Sequence, residues 1–136
     1  MLNKTELKRH IQTLSADVDT DKGCEASELN QRVDDAFYYF CGKRIVVVQE
    51  WFWIGFESSG TRKNGLSVEA MLFAENIISA SPSIQDDWIL SSALEQYVHP
   101  GLFVTASTCY VLSGKGLRGT VERSIALRWL NITNNF

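Results

Sequence analysis

Length and charge argue against several classes of protein for this chain. Its 136 residues suit a single domain spanning 1–136, and with 45% hydrophobic residues the chain can bury a proper core. The formal net charge of -3 is unlike that of a dedicated nucleic-acid-binding protein, and the longest apolar runs are far too short to cross a membrane. The chain starts with the polar segment MLNKTELKRH, which does not resemble a signal peptide, so we expect a cytoplasmic protein.

The first part of the chain, 1–42, is predicted to be helical. A capping pattern formed by Asn3 and Glu6 precedes an apolar stripe at spacings of four, three and four residues, which consists of Leu7, Ile11, Leu14 and Val18. This spacing indicates one amphipathic helix. A second helix is predicted from about 25 to 40 and ends at Gly42. Its predicted inner face consists of Leu29, Val33, Ala36, Phe37 and Phe40.

The acidic segment DVDTDKG lies between these two helices. Asp17, Asp19 and Asp21 alternate as in part of a calcium-binding loop, and Glu28 stands at the twelfth position. However, Lys22 occupies the sixth position, where such a loop requires glycine. We therefore expect a solvated acidic turn here.

The chain from 43 to 136 has mainly the composition of β-strands. In RIVVVQEWFWIGFE, Phe52, Ile54 and Phe56 point to one face of a strand. Trp51 and Trp53 point to the other face, so this strand is predicted to be covered on both sides. Further strands are predicted over 68–79, in DWILSSAL, over 103–112 and over 117–122. The tail SIALRWLNITNNF is predicted to form an edge strand or a short closing segment.

Two helices followed by several short strands predict an α+β fold. We expect the two N-terminal helices to pack on one side or end of a curved antiparallel β-sheet or small β-barrel. The single domain would then consist of a helical part, 1–42, and a mainly β part, 43–136.

The glycine-rich segment SGKG, residues 113–116, has only a superficial likeness to a phosphate-binding loop. Lys115 lies between two glycines, and Leu117 occupies the place of the Ser or Thr that a P-loop requires. The two glycines and the next one along the chain match the spacing of a dinucleotide-binding motif. That motif must open a helix, and the following residues RGTVERS favour a strand. We therefore interpret this segment as the tip of a β-hairpin.

Cysteine and histidine content points away from a metal or catalytic site. Cys24, Cys41 and Cys109 are odd in number, widely spaced and without a CxxC pair, which suits reduced thiols. His10 and His99 are isolated, and Cys109 lies in an apolar run, where a thiol is buried and inert. We predict no catalytic, cofactor-binding or metal-binding residue.

The aromatic residues leave two interpretations open. Rings come from several predicted strands: Trp51, Phe52, Trp53, Phe56, Trp88, Tyr97, Phe103 and Tyr110. Rings of this size are what a core needs, and this is the preferred interpretation. If at least two of them lay in water beside basic loop tips, they would stack bases while the cations held a nucleic-acid backbone. The candidate contacts for a protein or nucleic-acid partner are Arg62, Lys63, Lys115, Arg118, Trp51 and Trp53.

Three motifs in the second half of the chain occur together. They are WFW at 51–53, WILSSAL at 88–94 and FVTASTCYVLSGKGLR at 103–118. With these motifs, the stretch from about 51 to 122 resembles a family of small uncharacterised proteins carried by phages and prophages of proteobacteria. The third motif is the specific one, and the positions in register are Phe103, Thr105, Thr108, Tyr110, Val111, Leu112, Gly114, Gly116 and Arg118.

The chain departs from the family pattern at a few positions. Ser107 stands where the family has Asn, and Val104 and Ala106 stand where it has charged residues. The resemblance implies an origin in a mobile element and favours strand over helix for 68–79. It implies no activity.

The function that we expect is that of an uncharacterised, non-enzymatic bacterial protein that binds a host or phage protein. The grounds are the missing catalytic constellation, the acidic balance and the small size. The alternative is a nucleic-acid-binding module that uses basic loop tips and sheet aromatics. No cofactor and no membrane contact are expected, and apolar strand edges would favour a homodimer.

Overall fold

The computed structural model of the protein describes residues 4–14, 16–57, 70–85 and 87–131. Within these ranges the helices are α1 (Lys4–Thr13), α2 (Leu29–Tyr39), which follows a 3-10 turn at Ala26–Glu28, and α3 (Arg123–Leu130). The strands are β1 (Ala16–Asp19), β2 (Arg44–Gln49), β3 (Phe52–Glu57), β4 (Ala70–Ala74), β5 (Asn76–Ser81), β6 (Ile89–Leu90), β7 (Gln96–Val98), β8 (Leu102–Val104), β9 (Thr108–Leu112) and β10 (Gly116–Glu122). None of these three helices is long and apolar enough to span a membrane.

The strands of the described ranges form two five-stranded sheets. In the first, which we call the β3 sheet, the order is β1-β10-β3-β4-β6, and in the second, the β9 sheet, it is β5-β2-β9-β8-β7. β10 is parallel to β3 and β2 is parallel to β9, whereas the other neighbours are antiparallel. The prediction of an α+β protein is confirmed. The prediction of an antiparallel sheet is wrong, because both sheets are mixed.

Three stretches of chain run through both sheets. β2 continues into β3, β4 continues into β5, and β9 continues into β10 through the SGKG segment. Because β2 pairs with β9 and β3 pairs with β10, the first and third stretches stay parallel on both sides of the bend. SGKG is therefore not the tip of a hairpin, which would make β9 and β10 antiparallel neighbours in one sheet.

Three hydrophobic clusters divide the molecule into layers. The cluster between the sheets includes Val46, Trp53, Leu72, Phe103 and Tyr110. The outer face of the β3 sheet packs against α1 and α3, and the outer face of the β9 sheet packs against α2. The two N-terminal helices therefore cover opposite faces of the two sheets, whereas we expected them on one side or end.

Alternation along β3 explains its apolar composition. Phe52, Ile54 and Phe56 lie in the cluster shared with α1 and α3, while Trp53 lies in the cluster between the sheets. The prediction that this strand is covered on both sides is confirmed. Strands β4 and β5 confirm strand over helix for 70–74 and 76–79, with a bend at Glu75 between them.

Two segments of the β part differ from their predictions. The run 103–112 is interrupted at Thr105, whose Oγ1 accepts a hydrogen bond from the Thr108 backbone N–H at 3.2 Å, so the run forms β8, a turn and β9. The tail forms helix α3, so the edge strand is wrong, and the short closing segment that was the alternative is a helix. Ala126 and Trp129 are three residues apart in α3, and both are buried in the cluster with α1.

The N-terminal part contains a strand as well as helices. α1 ends at Thr13, and Ala16–Asp19 pairs with β10 as β1. Val18 is therefore 61% exposed and does not extend the apolar stripe of α1. In α2, Phe37 is 45% exposed and does not belong to the inner face.

Glycines make the bend between β9 and β10 sterically accessible. Gly114 has a φ of +72°, a region that glycine adopts at little cost. A Cβ at Gly116 would overlap the ring and the carbonyl oxygen of Trp51, which is only 1% exposed. Position 116 therefore requires glycine beside this buried indole.

Replacing Gly116 with alanine is expected to lower the free energy of unfolding by about 1–3 kcal/mol, the usual cost of overpacking a rigid core. The reason is that neither the backbone nor the enclosed indole of Trp51 can give way. Urea unfolding followed by fluorescence measures the change. Gly42→Ala is the matched control, because its Cβ would meet nothing within 4 Å. Equal losses in the two variants would contradict this account of the bend.

The three thiols are expected to react at different rates. Cys41 is exposed, whereas Cys24 and Cys109 are buried. Burial raises the pKa of Cys109 to about 12 and moves that of Cys24 above its usual value. Because the thiolate is the reactive form, a disulfide reagent should label one thiol quickly and the other two only after unfolding. Cys41→Ser should abolish the fast phase and Cys109→Ser should keep it, and fast labelling of more than one thiol would refute this assignment.

Candidate functional site

A cavity of about 480 Å³ adjoins the core between the sheets. We call it the intersheet cavity, and its lining includes Lys22, Trp53, Gly55, Tyr97, Arg118 and Thr120. Its volume lies within the range of small-molecule sites in proteins.

The pairing of β3 with β10 places four of these residues. Trp53 and Gly55 are two residues apart on one strand, and Arg118 and Thr120 are two apart on the other, so each pair points to one face. In the parallel register Arg118 lies beside Trp53, and Thr120 lies beside Gly55. The cavity therefore has a charged end at Arg118 and another end at Thr120, where the neighbouring strand carries no side chain because its residue is Gly55.

Asp19 organises the charged end. Its side chain is buried, and its Oδ1 accepts hydrogen bonds from the backbone N–H groups of Asp21 at 2.9 Å and Lys22 at 2.8 Å. Its Oδ2 lies 3.5 Å from both the Lys22 Nζ and the Arg118 Nε. Burial alone would raise the pKa of Asp19, but the two N–H groups and the Lys22 ammonium outweigh it and lower that pKa. Two cations thus share one ionised, buried carboxylate.

Aromatic rings form the adjoining wall. The Lys22 Nζ lies 5.2 Å from the centre of the Trp53 ring, within the range of a cation–π contact. Tyr97 packs edge-on against Trp53 with ring centres 5.4 Å apart, and its hydroxyl donates a hydrogen bond to the Lys22 carbonyl. Burial raises the pKa of Tyr97, which keeps this hydroxyl protonated as a donor. Lys22 is therefore held by contacts with Asp19, Trp53 and Tyr97.

A second notable surface lies at the C-terminal end of α2. Phe37, Tyr38 and Tyr39 are 45%, 77% and 69% exposed, and we call them the α2 aromatic patch. The rings of Tyr38 and Tyr39 meet edge-on with centres 4.8 Å apart. Ala36 and the half-buried Phe40 face the β9 sheet, so they anchor the helix while the patch faces solvent.

The structure brings together two of the predicted contact residues, Trp53 and Arg118, in the intersheet cavity. Trp51 is 1% exposed and donates from its Nε1 to the Ser113 carbonyl at 3.3 Å, so it belongs to the core. Lys115 is exposed on the link between β9 and β10. Arg62 and Lys63 lie outside the described residues.

The core interpretation of the aromatic residues fits their burial. Trp88 and Tyr97 are half-buried, and the other six rings named from the sequence are 0–8% exposed. None of the eight is among the exposed residues, as rings on which bases stack would be.

Sequence reasoning missed Asp19, Lys22 and Tyr97 as parts of one site. Asp19 was expected in a solvated turn, but it is 4% exposed because β1 pairs with β10 and brings it to Arg118. Nothing local in the sequence predicts that pairing. The α2 aromatic patch did have a local signal, since the three consecutive aromatics at 37–39 cannot all lie on one helix face.

A family model matches most of the chain. Residues 21–128 match the family described as Domain of unknown function (DUF6957). No curated protein and no solved structure matches the chain. The match contains the whole stretch 51–122 and adds α2. The expected kinship with an uncharacterised family is thereby confirmed.

Asp19→Asn is expected to lower the free energy of unfolding at neutral pH by about 2 kcal/mol, the scale of hydrogen bonds to a charged group. A carboxyl whose pKa is lowered by folding stabilises the protein above its unfolded value of about 3.9, and that contribution disappears as the pH falls through the folded value. The difference between wild type and Asp19→Asn should therefore shrink below about pH 4. Urea unfolding across the acid range measures it.

Asp34→Asn removes an exposed carboxylate and serves as the control for charge alone. It should leave the free energy of unfolding at neutral pH within about 0.5 kcal/mol of wild type. If the Asp19 and Asp34 variants lost the same stability, Asp19 would not organise the charged end of the cavity.

Proposed function

For this chain, which belongs to the family Domain of unknown function (DUF6957), we propose the role of a non-enzymatic protein that binds a host or phage protein. It is a bacterial protein of the cytoplasm, encoded on a phage, prophage or other mobile element. The resemblance of 51–122 to phage-borne proteins supports the origin. The unpaired thiols, two of them buried, support a reducing compartment.

The observation that carries this proposal is the α2 aromatic patch. Tyrosine and phenylalanine are enriched at protein–protein interfaces, where they bury much area at little cost in side-chain entropy. Three consecutive aromatic side chains are 45–77% exposed at one end of α2, and two of them, Tyr38 and Tyr39, meet ring to ring. Because the inner face of α2 is anchored in the core, the patch is presented on a rigid element.

Charge around the patch indicates the chemistry of the partner. Asp34 is exposed one helical turn before Tyr38, and α2 has no basic residue in its last turn. The C-terminal end of a helix also attracts positive charge. Lys43, just beyond the helix, is engaged elsewhere, since its Nζ donates to the carbonyls of Thr105 and Ala106 at 2.7 Å each. The fitting partner is a protein surface with an arginine or lysine beside an apolar side chain.

The nucleic-acid alternative draws less support from the site. Trp53 is 6% exposed, and Arg118 is drawn towards the buried carboxylate of Asp19. A nucleic-acid groove needs exposed rings and cations free to meet phosphates.

A photo-crosslinking amino acid at Tyr39 should capture one defined protein in cells of the natural host, because this side chain is 69% exposed in the patch. The matched control carries the crosslinker at Leu127, an exposed apolar position on α3 that is 47% exposed. The captured protein is then purified and its affinity measured. Tyr38→Ala should weaken binding by roughly tenfold or more, as expected for an aromatic hot spot, and Asp34→Lys should weaken it through charge reversal.

Several outcomes would overturn this proposal. They are the same capture from both crosslinker positions, unchanged affinity in the Tyr38 and Asp34 variants, or capture of a second copy of this chain alone. Light scattering on the purified protein identifies the last case. Neither variant should lose folding stability, because both side chains are exposed.

A further inference from the structure

We propose that a second cavity, beside helix α1, binds a small organic cation that carries an ammonium head on an apolar body. This cavity, which we call the α1 groove, lies on the outer face of the β3 sheet and has a volume of about 390 Å³, within the range of small-molecule sites. The inference rests on an apolar row that α1 leaves partly uncovered, and on two glutamates that line the groove at facing positions.

The apolar wall of the groove is part of a row of side chains that crosses all five strands of the β3 sheet. Register partners lie side by side on one face of a sheet, and the row runs from Val18 through Leu117, Phe52 and Phe73 to Leu90. The last three are buried in the cluster with α1, whereas Leu117 is 40% and Val18 is 61% exposed. Helix α1 therefore covers only part of the row, and Leu117 lines the groove beside it.

Two carboxylates line the groove where the chain bends from one sheet to the other. Gln49 pairs with Asn76 at the end of β2, and the antiparallel pairing of β3 with β4 continues the same register. This register sets Glu50 opposite Glu75 at the bend, and both residues line the groove. Like charges at facing positions of neighbouring strands repel each other, so this arrangement is unfavourable unless cations balance it.

Lys8 balances only one of the two carboxylates. Its Nζ lies 3.2 Å from the Glu75 Oε2, and it is the one cation among the described residues that line the groove. The other oxygen of that carboxylate, Oε1, is shielded from solvent and has no hydrogen-bond partner in the described ranges. Glu50 is exposed and forms no ion pair with any residue that the structure describes. With two carboxylates and one lysine, the groove has a surplus of one negative charge.

The backbone at Glu50 indicates that the bend alone does not account for this side chain. Its φ is +52°, in the left-handed region that glycine adopts at little cost and a residue with a Cβ adopts at a higher one. A glycine would therefore make the same bend more cheaply. Strained residues of this kind cluster at ligand-binding sites. The Glu50 carboxylate is thus available as the partner of an ammonium group.

An organic cation fits both parts of the groove. Its head would lie between Glu50 and Glu75 and would balance the charge that Lys8 leaves. Rotation about the last torsion of Glu75, which is soft in glutamate, presents either oxygen of its carboxylate to the head. The apolar body would cover Leu117, which gains from removal of its exposed surface from water. An anion of the same shape would add to the negative surplus, and a neutral molecule would leave it unbalanced.

The experiment is an NMR titration of the full chain, followed through the assigned methyl signals of Ile11 and Leu117. Benzylamine carries both the positive head and the ring, and it should shift both methyl signals at neutral pH. Benzyl alcohol and benzoate keep the ring without the positive head, and methylamine keeps the head without the ring. Each of these three probes should bind more weakly than benzylamine by about tenfold or more.

Variants of the charged residues test the head-group contact. Glu50→Gln and Glu75→Gln should each weaken benzylamine binding by about fivefold or more, because each removes a charged acceptor. Glu95→Gln removes the same charge at an exposed position outside the groove, and it should bind like wild type. Lys8→Gln should tighten binding several-fold, because it removes the cation that competes for Glu75. A purely structural role of Lys8 would not produce that gain.

The apolar contact is tested at Leu117. Leu117→Asn should weaken benzylamine binding several-fold, because the ring loses its apolar partner. Leu127→Asn makes the same change on α3 at a position that is 47% exposed and does not line the groove, and it should bind like wild type.

Any of four results would contradict the proposal. They are no shift of the two methyl signals with benzylamine at millimolar concentration, binding of benzoate or benzyl alcohol as tight as that of benzylamine, wild-type affinity in both glutamate variants, and unchanged or weaker binding by Lys8→Gln. Glu50 and Leu117 are exposed, so their variants should stay folded, and a dispersed NMR spectrum verifies this for each variant.

Discussion

The architecture depends on one close contact, between the buried ring of Trp51 and the backbone that links β9 to β10. Trp51 donates from its indole nitrogen to the Ser113 carbonyl at 3.3 Å, and its own carbonyl accepts from the Leu117 N–H at 2.9 Å. These bonds bracket the bend in both parallel stretches of chain. They hold β2 beside β9 on one side of the bend and β3 beside β10 on the other. The separation into two sheets, with a core between them, depends on this bend.

The same bend also positions the segments that line the intersheet cavity. The Gly114 N–H donates to the Cys24 carbonyl, and the Cys24 N–H donates to the Leu112 carbonyl, each at 2.8 Å. The link between β9 and β10 thereby fixes the segment that carries Lys22. Pairing of β1 with β10 fixes Asp19 in the same way, so the charged end of the cavity is a product of the fold's central bend.

Local sequence patterns predicted the elements whose formation depends on residues close together in the chain. The stripe of Leu7 and Ile11 predicted α1, and the alternation of Phe52 and Ile54 predicted a strand covered on both faces. The glycine turn at SGKG predicts a hairpin, because a turn glycine looks the same in sequence whether the two flanking strands pair with each other or belong to different sheets. What separates β9 from β10 is the parallel pairing of each with a distant strand, which no local pattern records. Of the residues that form the cavity, the sequence predicted only Trp53 and Arg118 as contacts. The others could not be predicted, because the site assembles from segments near opposite ends of the chain.

The family match begins at residue 21, and this boundary runs through the charged end of the cavity. Lys22 and Arg118 lie inside the matched region, whereas the carboxylate that both cations share belongs to Asp19, just outside it. The charged end of the cavity is therefore built from residues on both sides of this boundary, so a fragment limited to residues 21–128 would lack the carboxylate that Lys22 and Arg118 share.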